Sequence, residues 1–190
     1  MPTIADLIFN ADNAIIEPSN YRSNIPSKPG YYMWWAKEEE VKKLLNEHYQ
    51  DFKLEPGSDE LDGYYLIYYG ISSSIRKRLN DHINQEHSDI NVDKGYLSTF
   101  RQTISSLLTG KQRGEDSQKK TDEFIDKLKV QYFIVSKSWD DEVKKDLEET
   151  EKEAFKEYIL PLNIRGNYNK KTKDFKKILG KIRKEAKIKS

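Results

Sequence analysis

The hydrophobic positions of the chain switch between two spacings, and the switches divide it into elements. Tyr31-Tyr32-Met33-Trp34-Trp35-Ala36 is a compact aromatic run of strand character. Lys37 to Tyr49 follows, with Val41, Leu44 and Leu45 on one helix face, and Pro56-Gly57-Ser58-Asp59 marks a turn. The run from Gly63 to Gly70, dominated by Tyr64, Tyr65, Leu66, Ile67, Tyr68 and Tyr69, is again strand-like. Ser72 to Ser74 then supply cap candidates for a helix carrying Ile75, Leu79 and Ile83. Between Tyr96 and Leu108 the positions Phe100, Ile104, Leu107 and Leu108 form one helix face, and Gly110 to Lys120 looks like a polar loop rich in breakers. A short helix around Phe124, Ile125 and Leu128 leads to a third strand, Val130 to Val135. The last long core helix is expected from about Trp139 to Ile159, stopping before Pro161, with Val143, Leu147, Ala154, Phe155 and Tyr158 as its stripe. Phe175, Ile178, Leu179, Ile182 and Ala186 outline a terminal helix, and Thr3 is placed to cap a short one at the start. This order predicts an α/β (α+β) fold with a small central three-stranded sheet, mixed or antiparallel, flanked by helices.

Length and composition narrow this to one domain, residues 1–190, because 190 residues bury one good core and are too few for two comfortable ones. The expected core spans residues 28–167, with a helical insertion at 37–63, and a basic helix closes the chain at 168–190. Twelve tyrosines, seven phenylalanines and three tryptophans supply the apolar faces that a chain with 34% charged residues otherwise lacks. No apolar run approaches the roughly 18 to 20 residues of a membrane span, and Met1-Pro2-Thr3-Ile4-Ala5-Asp6 lacks a basic segment followed by an apolar one. Cysteine is absent, so there is neither a disulfide framework nor a thiolate metal site. A soluble, cytoplasmic protein with no membrane partner is the expectation. The net charge of +1 conceals an asymmetry: residues 165–190 hold eleven Lys/Arg against two Asp/Glu, a net +9 that leaves −8 for the rest. Blocks of this kind are either polyanion-binding arms or solvated lysine-rich helices.

Three groups of residues stand out chemically. Glu151 lies four residues after Leu147 and four before Phe155, so helical geometry puts it on the stripe that faces the core. A carboxylate there must open on a cleft, pair with a cation or hold a metal ion; a slightly rotated helix with Glu151 in solvent is the plainer reading. Arg78 and His82, at i and i+4, share one side of their helix. An arginine fork matches phosphate oxygens, and a histidine can move a proton or position a water. Tyr32 and Tyr68 complete the set, since a phenol beside a cation can approach ionisation. Taken singly, each of these residues is more simply explained as surface or packing.

Their joint spacing resembles the GIY-YIG nuclease superfamily. That family carries a Gly-x-Tyr on one strand, a Tyr-x-Gly on the next, an Arg eight residues after that glycine, and a late metal-binding Glu. Pro29-Gly30-Tyr31-Tyr32 looks like the first motif and Tyr68-Tyr69-Gly70 like the second. Arg78 lies eight residues past Gly70, and His82 occupies the position where members carry His or Tyr. Glu151 precedes Pro161-Leu162-Asn163 as the family's terminal Glu precedes its Pro-x-Asn element. The chain departs from the pattern at Ile71, where many members have lysine, and in the long stretch between the two strand motifs. Whether Tyr68 or Tyr69 is the functional phenol is open; the two-residue offset from Gly70 favours Tyr68.

The resemblance implies a metal-dependent endonuclease acting on DNA, with Mg²⁺ or Mn²⁺ held by Glu151. It further implies that Arg78 grips the phosphate, that Tyr32 or Tyr68, assisted by His82, activates water, and that Asn163 holds the site in shape. The alternative is a catalytically inactive protein of the same fold that binds nucleic acid.

Overall fold

The computed structural model describes residues 25–46, 48, 60–61, 63–135 and 137–189; the helix expected at Thr3, the end of the helix at Tyr49 and the turn at Pro56 to Asp59 lie outside them. At the centre is a sheet of order β2-β3-β1-β4, formed by β1 (Gly30–Lys37), β2 (Glu60–Leu61), β3 (Tyr64–Ser72) and β4 (Lys129–Ile134). The three long strands are those expected from the sequence, and every pairing is antiparallel rather than mixed. The two-residue β2 extends the edge of β3 beside Tyr64 and Tyr65, inside the stretch read as a helical insertion.

β1 is the middle strand and is covered on both sides, which is why its hydrophobic run is unbroken rather than alternating. Tyr32, Trp34 and Ala36 enter the larger core cluster, and Tyr31, Met33 and Trp35 enter the other. The larger cluster is closed by α1 (Glu38–Leu45), α2 (Ile75–Asn84), α4 (Thr99–Thr109), α5 (Glu115–Ile125) and α7 (Lys173–Ile188), with the short α3 (Asp89–Asp93) between α2 and α4. On the opposite face α6 (Asp141–Glu157) lays down Val143, Leu147, Ala154 and Phe155, the stripe its periodicity predicts.

One irregularity in the sheet decides the site. The register of β1 against β3 shifts between Trp34, opposite Tyr68, and Trp35, opposite Leu66, so Ile67 is an extra residue on β3. A bulge of this kind breaks the alternation of side chains. Ile67 and Tyr68 therefore both pack on the larger cluster, and Tyr69 falls on the other face, where it stacks on Tyr31 with ring centroids 5.8 Å apart.

Two expectations need correction. The loop expected over Gly110 to Lys120 ends at Gly114, whose φ of 91° makes the turn, and α5 begins at Glu115. Glu115 and Asp116 favour a helix start there, and the buried face of the new turns is made by Ser117 and Thr121, which carry no hydrophobic signal. The basic terminal helix is not an appended arm: Phe175 and Leu179 of α7 belong to the larger core cluster. Its exposed Lys173, Lys177, Lys181 and Lys184 recur every three or four residues and form a stripe on the opposite side.

Candidate active site

At the end of β3, where its last residues meet α2 and the segment after α6, lies a cleft of about 270 Å³ lined by Tyr32, Tyr68, Arg78, His82, Glu151 and Asn163, together with Gly70, Thr99 and Arg165. All six residues singled out from the sequence face this one space. Gly70 has to be glycine: a Cβ there would sit 2.5 Å from the Tyr32 hydroxyl and 2.6 Å from the ring carbon that bears it.

His82 sits on the inward side of α2 and is buried in an aromatic box. Phe100 and Tyr68 meet its ring edge-on at 5.0 and 5.8 Å, and Tyr32 packs at 5.4 Å. Both ring nitrogens are engaged: Nε2 lies 2.8 Å from the Tyr32 hydroxyl and Nδ1 lies 3.1 Å from Ser98 Oγ. Burial holds its pKa well below the usual histidine range, and the cations of Arg78 and Arg101 reinforce the shift, so the imidazole is neutral. The Tyr68 ring lies beside that of Tyr32, with centroids 6.1 Å apart, and the two phenols influence each other's ionisation. Both line the cleft, and with Tyr32 buried and Tyr68 half-buried, Tyr68 is the more open of the two. Burial raises both pKa values; for Tyr68 the Tyr32 hydroxyl and the nearby Arg78 and Arg183 work against that rise. Arg78, one turn before His82, is exposed at the mouth.

Glu151 is half-buried on α6, between the buried Leu147 and Phe155. Among the described residues none donates a hydrogen bond or forms an ion pair with its carboxylate. Burial, with a smaller contribution from Glu148, pushes its pKa up to about 7. No group of three or more His, Asp or Glu side chains is placed to share a metal among the described residues. An uncompensated carboxylate facing a cleft with Arg78 at its mouth fits a hard divalent cation that takes one protein oxygen and completes its shell with water and phosphate. The sign of the pH effect follows from the raised value. In metal-free protein the folded state holds the Glu151 proton more tightly than the unfolded state does, so stability is lost as pH climbs from about 4.5 through 7. Glu151→Gln is expected to stabilise the chelator-treated protein by on the order of 1 kcal/mol at pH 8, and to leave it equal to the parent at pH 4. Paired thermal melts at the two pH values check this; a variant no more stable than the parent at pH 8 contradicts the assigned burial.

Asn163 works on the backbone. Its Oδ1 accepts from the Tyr69 N–H at 2.8 Å and its Nδ2 donates to the Tyr69 C=O at 2.7 Å, while the Leu162 N–H donates to the Ile67 C=O at 3.1 Å. The segment after Pro161 thus lies along the edge of β3 beyond the reach of β2, satisfying backbone groups that an open edge would expose. Asn167 braces the segment, donating to the Leu160 and Asn163 carbonyls.

The profile of the GIY-YIG catalytic domain matches residues 30–185, from the first residue of β1 into the last turns of α7. The chain belongs to this family. No curated protein and no solved structure matches it. Membership makes the chain a nuclease-type GIY-YIG domain whose substrate class is nucleic acid. Among the described residues no helix is long and apolar enough to cross a membrane.

In this GIY-YIG domain several residues at or behind the cleft escape the sequence reading. Ser98 caps α4, a role its place before the Phe100/Ile104 stripe could have signalled, but its contact with His82 spans 16 residues. Arg165 and Arg183 are hidden in a basic segment where no lysine or arginine is distinguishable from the next. Arg183 is half-buried and donates to Gln102 on α4, and its charge reaches Tyr68.

Proposed function

We propose that this GIY-YIG domain is an endonuclease that hydrolyses DNA phosphodiester bonds with Mg²⁺ or Mn²⁺. The observation that carries the reading is the meeting, in one cleft, of an uncompensated half-buried carboxylate, an exposed arginine and a hydrogen-bonded Tyr32–His82 pair with Tyr68 packed beside it. Phosphodiester hydrolysis needs that combination: a cation site for the developing charge, a grip on the phosphate and a group that takes a proton from water.

The fork of Arg78 suits the two free oxygens of the scissile phosphate. Tyr32 or Tyr68 orients and deprotonates the attacking water. His82 acts through Tyr32, to whose hydroxyl its Nε2 is hydrogen-bonded from a buried position behind it. Asn163 holds β3 and the segment after α6 together, so that Tyr68 and Glu151 keep their spacing. When bound, the divalent cation, with Glu151 as its protein ligand, offsets negative charge at the leaving oxygen. A cytoplasmic setting suits the cysteine-free chain.

Supercoiled plasmid and branched DNA, each incubated with purified protein in Mg²⁺ and in chelator, test the reading. Cleavage confined to the metal-containing samples supports it. Binding with no cleavage in Mg²⁺ or Mn²⁺ favours the alternative, an inactive GIY-YIG-fold protein that binds nucleic acid.

The lysine stripe of α7 acts in this reading as a grip on the DNA backbone, giving affinity without sequence information. Because Phe175 and Leu179 anchor α7 in the core, point substitutions test this and truncation does not. Changing Lys173, Lys177, Lys181 and Lys184 together to Gln is expected to flatten the slope of log affinity against log salt by about 0.9 for each phosphate no longer neutralised, up to nearly 4. An unchanged slope in a salt titration removes α7 from the interface.

A further inference from the structure

The direction of the buried hydrogen bonds behind the cleft can be worked out from a single hydroxyl. Ser98 Oγ is buried, and it already accepts from the Arg101 N–H at 3.3 Å as the cap of α4. Its own proton needs an acceptor, because a buried hydroxyl that donates to nothing is costly. Among the described residues the acceptor within reach is His82 Nδ1, at 3.1 Å. Nδ1 is then the unprotonated nitrogen, and a neutral imidazole carries its hydrogen on Nε2. Nε2–H therefore donates to the Tyr32 oxygen at 2.8 Å, which leaves the Tyr32 proton to turn toward the neighbouring phenol, Tyr68, whose ring lies 6.1 Å away.

We infer that Ser98 is a positioning residue that holds His82 as the Nε2–H tautomer and so directs the chain Ser98–His82–Tyr32–Tyr68 toward the Tyr68 oxygen, making Tyr68 rather than Tyr32 the phenol that exchanges protons with the attacking water. The inference rests on the nuclease reading above and says which of its two tyrosines is the base. A phenolate at Tyr68 is placed to receive a hydrogen bond from Tyr32 on the more exposed side of the pair, whereas one at Tyr32 would lie on the more buried side and would have to reverse the bond between the two phenols. In the step itself Tyr68 acts as the phenolate, its own proton having first left to solvent through the cleft mouth: its oxygen takes a proton from water, and the electron pair of the broken water O–H bond forms the new bond to phosphorus. The bond from phosphorus to the leaving oxygen breaks with its electrons on that oxygen, and the Tyr68 proton returns to solvent through the cleft mouth. The opposite tautomer would reverse every arrow and leave the Ser98 proton without a partner.

The test uses the full chain labelled with ¹⁵N-histidine, in which long-range ¹H–¹⁵N correlation spectra distinguish the two tautomers; the His82 signals are those that vanish in His82→Gln. The parent is expected to show Nε2 protonated and Nδ1 bare. Ser98→Ala is expected to mix the tautomers and to lower kcat for Mg²⁺-dependent cleavage by about 10- to 100-fold with KM for DNA unchanged, the loss typical when a partner that orients a histidine is removed. Ser98→Thr keeps both the hydroxyl and the helix cap, and should restore the tautomer and most of the rate. A parent with Nδ1 protonated overturns the inference, as does a Ser98→Ala enzyme as fast as the parent or a Ser98→Thr enzyme as slow as the alanine variant. A parent that shows the Nε2–H signature but cleaves no DNA upholds the tautomer and overturns the nuclease reading instead.

Discussion

Glu151→Ala is expected to reduce Mg²⁺-dependent DNA cleavage by roughly a thousandfold or more, the rate equivalent of about 4 kcal/mol of transition-state stabilisation. DNA affinity should change by less than about threefold, because the cation serves charge that develops in the transition state more than the docked duplex. The size follows from the surroundings of the residue. Glu151 is the carboxylate that lines the cleft, and no group of three or more acidic or histidine side chains that could hold a metal without it is found among the described residues. Cleavage rates on plasmid together with equilibrium binding in chelator separate the two effects. A Glu151→Ala protein that cleaves as well as its parent is incompatible with the mechanism. The half-burial that suits this carboxylate to the proposed cation also makes it destabilising in metal-free protein at neutral pH, so on the proposed mechanism Glu151→Gln is expected to trade catalysis for stability at one position.

The largest stability effect is expected from Arg101→Met, about 3–5 kcal/mol in denaturant unfolding. Arg101 is fully buried on α4, and every part of its guanidinium has a partner. Nε donates to His87 at 3.1 Å, and Nη1 to the carbonyls of His82 and Ile83 at 3.1 and 2.8 Å. Nη2 pairs with Asp122 of α5 at 2.5 Å. One side chain thus satisfies the last-turn carbonyls of α2 and ties α2 to α4 and α5. Methionine fills much of the space but leaves two carbonyls, a buried histidine nitrogen and a carboxylate without their donor, and those unmet groups are what the figure counts. The same change should slow cleavage at temperatures where the protein is still folded, because the carbonyl of His82 is one of the groups released. An unfolding free energy within 1 kcal/mol of the parent would show that the pair is not worth its burial here.

How much of this is legible in the sequence depends on the range of the interaction involved. Arg78 and His82 can be placed together because i and i+4 on a helix are neighbours by geometry, and Glu151 can be placed on the buried side of α6 because Leu147 and Phe155 bracket it at the same interval. The first turns of α5 leave no such trace because their buried face is made by Ser117 and Thr121, whose burial comes from packing and not from polarity. Arg101 is silent for the same reason: it adjoins the apolar Phe100, and nothing local says that an arginine beside a core stripe is itself enclosed.

The sequence by itself determined the kind and order of the three long strands and the main helices, the family and the six residues to watch. Hydrophobic period, capping residues and fixed motif spacings act over a few positions and leave a local trace. Only the tertiary structure decided which tyrosine faces the cleft and how the histidine is held. The bulge at Ile67 turns Tyr68 to the side of Tyr32 and sends Tyr69 to the other, which strict alternation along β3 would have reversed. His82 meets Tyr32 across 50 residues and Ser98 across 16, and Asn163 meets Tyr69 across 94. Such contacts depend on strand register and on where helices cross the sheet, which the packing of the whole core sets and no short stretch of sequence records.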